Sequence, residues 1–159
     1  MTTSEQILPG LLDRLSNDSS YGTEGRSFSA TTIRQYHQSV IRDLHWLLNA
    51  RSTLSEEAKS EFPEVARSVL NFGTRDFSGM AVSSVDSREI ERELLEAVQH
   101  FEPRILRRTL SVKAVSPSER GGLNVVAFEI RAEVWAVPFP EQVYIRTLLD
   151  LETGQYQVQ

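Results

Sequence analysis

The sequence predicts an α+β domain in which helices come first and an antiparallel β-meander follows. Three observations carry this. Apolar residues recur at helical spacing over 31–51 and again over 86–101; the period changes to two beyond Pro103; and turn residues at 117–122, 138–141 and 152–154 divide the later part into strands.

The elements follow in order. Ile7, Leu8, Leu11, Leu12 and Leu15 form a small apolar island that Pro9-Gly10 interrupts, leaving Leu11-Leu12-Asp13-Arg14-Leu15 as the usable helical turn. Residues 16–29 are rich in Ser, Gly, Asn and Thr, the composition of a tether. Residues 1–29 are therefore expected to be a docking segment on a flexible leash, and 30–159 the folded domain. Whether the leucines dock elsewhere or fold back onto that domain is left open by the residues.

Ile33, Tyr36, Val40, Leu44 and Leu47 predict the first long helix, with Ile41 and Leu48 widening its stripe and Ser29, Thr31 or Thr32 able to cap it. Ser55 to Leu70 is a weaker helical region split by Pro63. Asn71 to Gly79 reads as a compact loop that its two phenylalanines make pack. Asp86 and Glu89 have capping-box spacing ahead of a second helix, whose stripe is Ile90, Leu94, Val98 and Phe101. Its Glu91, Arg92, Glu93 and Glu96 are expected to face water. Pro103 ends it, because the residue before a proline is pushed out of the helical region.

Strands are then predicted on Leu106 to Ala114, on Val126 to Trp135 with even positions inward, on Val143 to Leu149, and briefly around Tyr156 and Val158. In such a meander an edge can accept a partner's strand, with main-chain hydrogen bonds supplying affinity.

Composition excludes several functions. A chain of 159 residues hides roughly 70% of its unfolded surface, enough for a core without staples. The absence of cysteine rules out disulfides, thiolate metal sites and a cysteine nucleophile. A net charge of −5 argues against general nucleic-acid binding. No stretch approaches the ~20 apolar residues of a membrane span, so no direct membrane insertion is expected. No secretory h-region is evident, and the cytoplasm is the expected compartment. His37, His45 and His100 lack metal-ligand spacing, and Gly22 to Ser27 has neither the glycine spacing nor the lysine of a phosphate loop. No cofactor or catalytic residue is assigned. A peptidoglycan-cleaving carboxylate pair is the alternative; most acids fall on solvated helix faces or outward strand positions, and Glu102, the exception in context, has an arginine two residues away, which does not suit a protonated general acid.

Glu102-Pro103-Arg104 lies where helix gives way to sheet. A proline-fixed corner lets Glu102 and Arg104 project to one side, suited either to bidentate pairing with another protein or to a local ion pair. Four ordered stretches resemble the TssE baseplate subunits of bacterial type VI secretion systems, which are similar to lysozyme-like baseplate wedge proteins of contractile-tailed phages. They are Leu11-Leu12-Asp13-Arg14-Leu15; Val69-Leu70-Asn71-Phe72-Gly73 with Asp76-Phe77-Ser78-Gly79; Phe101-Glu102-Pro103-Arg104; and Asp150-Leu151-Glu152-Thr153-Gly154. The resemblance implies a baseplate wedge fold and an assembly role without hydrolysis. It also implies TssF, TssG and TssK as baseplate partners, and the sheath proteins TssB and TssC as the neighbours whose polymerisation the subunit helps to start. On that reading Glu102, Pro103 and Arg104 bind partners, with Leu11, Leu12 and Leu15 as the second contact.

Overall fold

A computed structural model describes residues 10, 12, 13, 32–116, 124–136 and 139–159. Helix α1, Ile33–Asn49, starts at a complete capping box. Thr32 accepts from the Gln35 N–H, and the Gln35 side chain accepts from the Thr32 N–H. Two short helices follow, α2 (Glu56–Glu61) and α3 (Pro63–Ala66), divided at Pro63 as the sequence indicates. Helix α4, Ser87–Phe101, is capped by Asp86, which accepts from the Arg88 N–H. The reciprocal half of the expected box does not form, because the Glu89 carboxylate is turned to Arg75 at 3.0 Å.

The sheet is an antiparallel meander in the order β1-β2-β3-β4, made of Ser111–Val115, Val125–Val134, Glu141–Asp150 and Gln155–Val158. Phe128 pairs with Thr147 and Ile130 with Ile145, which puts the alternate apolar residues of neighbouring strands on one face. Helices α1 and α4 cover that face, α1 along β4 and α4 along β1. Leu44, Leu47 and Leu48 from α1 and Ile90, Leu94 and Val98 from α4 bury against Phe128, Ile130, Ile145, Leu149 and Tyr156. Each such side chain contributes roughly 1.5–3 kcal/mol on burial, so this two-layer contact is the main source of stability.

The first strand is shorter than expected. Arg107–Thr109 is a 3-10 turn, since Thr109 donates its hydroxyl back to the Leu106 carbonyl and accepts the Glu133 N–H with the same oxygen. Local side-chain bonding there outcompetes the ladder.

Both sheet edges are partly capped by helix side chains. The Asn49 amide, at the end of α1, donates to the Tyr156 carbonyl and accepts from its N–H, both at 2.9 Å. Glu91 accepts the outward N–H of Ala114 on β1 at 2.5 Å. Glu91 thus does not simply face water; burying an unpaired strand N–H would cost more than recruiting a carboxylate. Asn49→Ala is expected to lower stability by about 1–3 kcal/mol, because it strands two buried backbone groups at once. Urea denaturation checks this.

Glu93, also expected in solvent, is half-buried and accepts the Arg75 N–H at 2.5 Å. Burial pushes its carboxyl above the ordinary range, and the Arg75 N–H and guanidinium pull it only part of the way back. A carboxyl whose folded pKa is raised stabilises most below its unfolded value, and that contribution is lost as pH rises through the folded one. Glu93→Gln removes the titration. The variant is therefore expected to gain stability relative to the parent between mildly acidic and neutral pH, as thermal unfolding across that range would show.

The loop that joins α3 to α4 docks on the end of α1. Thr74 N–H donates to the Ala50 carbonyl at 3.0 Å and Ser52 N–H to the Thr74 carbonyl at 2.9 Å. Asn71 is held by the Ser52 hydroxyl and by its own bond to the Ala66 carbonyl. Phe77 inserts into the core at 1% exposure, and the Gly79 N–H reaches the Leu151 carbonyl at 2.8 Å. Two separated motifs of the sequence thereby meet in space.

Candidate functional site

Glu102 caps α4, its N–H bonded to the Val98 carbonyl at 3.0 Å, and leaves the helical region at φ −117°, ψ 84° because Pro103 follows. The chain then turns, with the Ile105 N–H on the Glu102 carbonyl, and runs antiparallel beside the end of β2. Leu106 donates to Glu133 at 2.8 Å, Trp135 donates to Arg104 at 2.7 Å, and Ile105 bridges to Val134. Main-chain bonds on both flanks therefore fix the corner.

Its side chains project to one side, as expected, but that side faces α1. Arg104 donates Nε to Glu102 Oε1 at 2.7 Å and Nη2 to Oε2 at 2.5 Å, a parallel two-point pair. The Arg104 N–H adds a third bond to Oε1 at 3.1 Å. The same guanidinium reaches Asp43 Oδ2 at 2.6 Å and the Ser39 hydroxyl at 3.1 Å. Glu102 is only 4% exposed, while Pro103 is exposed. Burial disfavours the Arg104 charge, but the bonds and charges of Glu102 and Asp43 outweigh it and hold its pKa above the ordinary arginine value. The fork is thus occupied within its own chain, and the surface it leaves outward is the proline and its surroundings.

The pairing continues along α1. Asp43 accepts from Arg42 Nε at 2.9 Å, and Arg42 also binds Asp13 through two nitrogens. The Arg42 guanidinium lies 5.1 Å from the centre of the Trp46 ring. Leu12 and Asp13 are helical, and Leu12 is 46% exposed. Leu12 and the corner line one groove of about 400 Å³, floored by Leu47 and walled by Trp46, Phe72 and Pro103. Leu12 and the Glu102–Arg104 corner, 90 positions apart along the chain, therefore meet at one place. Leu11 and Leu15 lie outside the described residues.

Sequence reasoning did not single out Ser39, Arg42, Asp43 and Trp46. The available signal was Ser39 and Asp43, four apart beside the apolar stripe of α1, but no spacing rule ties position 43 to position 104.

A family model described as baseplate wedge protein gp25 matches residues 34–138. No curated protein and no solved structure matches the chain.

Proposed function

The chain belongs to the baseplate wedge protein gp25 family, and from that premise we propose that it is a structural subunit of a type VI secretion baseplate. It joins a wedge with TssF and TssG beside TssK, and helps the sheath proteins TssB and TssC begin to polymerise in the cytoplasm. The observation that supports this best is the corner itself. Backbone bonds and the Glu102–Arg104 pair brace Pro103 outward beside an apolar groove. A braced apolar prominence keeps its shape on docking, so little ordering entropy is lost.

The four motifs that resemble the secretion subunits support the same reading. Two of them hold the fold together at the loop between α3 and α4 and at the β3–β4 turn. The other two, through Leu12 and Pro103, come to one surface. No hydrolytic step is assigned, since both Glu102 oxygens already accept N–H groups of Arg104. Strand addition by a sheath protein at Tyr156 of β4 or at Ala114 of β1 first has to displace Asn49 or Glu91.

Pro103→Asp tests the reading. It leaves the inner ion pairs in place, and its effect on stability is expected to stay within about 1 kcal/mol. Recovery of TssF and TssG with the chain is expected to fall at least about tenfold, because a carboxylate placed in a packed contact must be desolvated without a partner. Sheath assembly in cells, followed by a labelled sheath subunit, is expected to stop. Normal recovery and normal sheaths would remove the corner from the interface.

A further inference from the structure

Ion pairing divides the surface of this chain. Arg42 on α1, Arg75 in the loop before α4 and Arg104 at the corner each hold a carboxylate. Around β1 the cations have no such partners. Arg88 and Arg92 on α4, Arg107 and Arg108 in the turn that leads into β1, Lys113 on β1 and Arg146 on β3 make no ion pair among the described residues. The first five are exposed.

The fold gathers them. The bond from the Ala114 N–H to Glu91 sets β1 beside α4. Arg88, three positions before Glu91, shares its face, and Arg92 stands one turn on from Arg88. Thr109, bound to the Glu133 N–H, holds Arg107 and Arg108 at the start of the strand. Lys113 pairs with Glu129 and Glu129 with Arg146, so both cations rise from the outer face of the sheet. Arg146 Nη2 extends to the Ser116 carbonyl, at the end of β1, at 3.5 Å.

Carboxylates do not cancel this charge. Arg131 takes Glu129 at 2.9 Å. Glu89 and Glu93 turn the other way, to Arg75, and Glu96 lines the cleft against α2 and α3. Asp86, Glu91 and Glu133 remain, so the border along β1 carries six cations against three carboxylates on a chain whose net charge is −5. Five of the six are arginines, whose planar forks suit carboxylates held in two-point geometry. Glu91 already occupies the Ala114 donor, so recognition here runs through side chains. The five residues of β1 span about 17 Å, the length of about three helical turns. A long polyanion fits less well, because Glu56, Glu57, Glu61 and Glu64 on α2 and α3, across α4, repel it.

We propose that the border formed by β1 and α4 docks an acidic helix of a partner protein, about three turns long, with Asp or Glu along one face. This border is at the opposite edge of the sheet from the one α1 covers, and the proposal depends neither on the corner nor on the assembly reading.

The test is a nitrogen-15 NMR titration of the full chain with two synthetic peptides of about three turns, held helical by the same hydrocarbon staple. One bears glutamates along one face and the other lysines. The glutamate peptide is expected to shift amide signals of β1 and of the first half of α4, and to bind at least about tenfold more tightly than the lysine peptide. Its affinity is expected to fall at least about fivefold as salt rises from about 50 to about 200 mM. Arg92→Glu with Arg108→Glu, both at exposed positions, is expected to weaken binding at least about tenfold with the spectrum of the inner sheet unchanged. Arg34→Glu, at an exposed position on α1, is expected to change it less than about twofold. Glu91→Gln keeps an oxygen for the Ala114 N–H and removes a negative charge, so it is expected to tighten binding about twofold or more.

Equal binding of the two peptides, shifts confined to other elements, a loss with Arg34→Glu as large as with the double variant, or weaker binding by Glu91→Gln would each overturn the proposal. A single DNA strand of about twenty nucleotides that bound more tightly than the glutamate peptide, with the same sensitivity to the double variant, would overturn it in favour of a nucleic-acid surface. Pro103→Asp is expected to leave peptide binding unchanged even where recovery of TssF and TssG is lost, which separates failure here from failure of the assembly reading; loss of peptide binding in that variant would also overturn the proposal.

Discussion

Arg104→Ala is expected to lower the free energy of unfolding by about 3 kcal/mol or more. The reason is that it leaves the Glu102 carboxylate, 5% exposed at its side chain, without the two guanidinium N–H bonds and the charge that compensate its burial, keeping only the main-chain N–H of residue 104. Asp43 loses a partner at the same time. The Arg104 side chain is itself 21% exposed, too little for water to take over its role. An exposed pair would be worth about 0–1 kcal/mol, so urea denaturation separates the two cases cleanly. Replacing both partners, as Glu102→Gln with Arg104→Met, is expected to recover much of the loss, since removing a buried pair together costs far less than orphaning one member. A loss under about 1 kcal/mol for Arg104→Ala would mean that the pair does not brace the corner. Failure of assembly in an Arg104 variant therefore reports on folding as well as contact, and Pro103→Asp is the cleaner probe of contact.

Gly73→Ala is expected to have an effect of similar size, about 3 kcal/mol or more, from an unrelated cause. Gly73 has φ +126°, and a Cβ there would lie 2.3 Å from the Ala50 carbonyl oxygen. That oxygen accepts the Thr74 N–H, so the backbone cannot move aside without breaking the bond that docks the loop on α1. Strain at such a φ costs of order 1–3 kcal/mol alone, and the clash adds to it. Gly79→Ala is the control: its φ is also positive, at +77°, but among the described residues no atom beyond its chain neighbours lies within 4 Å of the added carbon. It is expected to lose only about 1 kcal/mol. Equal losses for the two would show that conformation, not the approach of Ala50, sets the demand for glycine. Thermal unfolding of both variants decides this.

Much of the fold was legible because it rests on short-range rules. The apolar period of α1, the stop at Pro103 and the inward set Phe128, Ile130, Ala132 and Val134 each follow from geometry within one element, and each is found where it was expected. Where short-range rules failed, a distant partner had intervened. Glu91 and Glu93 sit on the polar side of a helix by pattern, but a strand N–H and a loop N–H recruited them. Glu89 left its capping box for Arg75. Leu106 to Thr109 alternates like a strand but turns on a threonine hydroxyl.

The site divides in the same way. That Glu102, Pro103 and Arg104 form a rigid corner with two side chains on one side is a consequence of proline stereochemistry and of spacing, and the linear chain determines it. Which way that side faces is set by Asp43 and Ser39, on a helix some sixty positions earlier. That Leu12 stands at the same groove depends on an ion pair across 29 positions. A guanidinium takes whichever carboxylate the packing of α1 against the sheet delivers to it, and no pattern along the chain records that delivery.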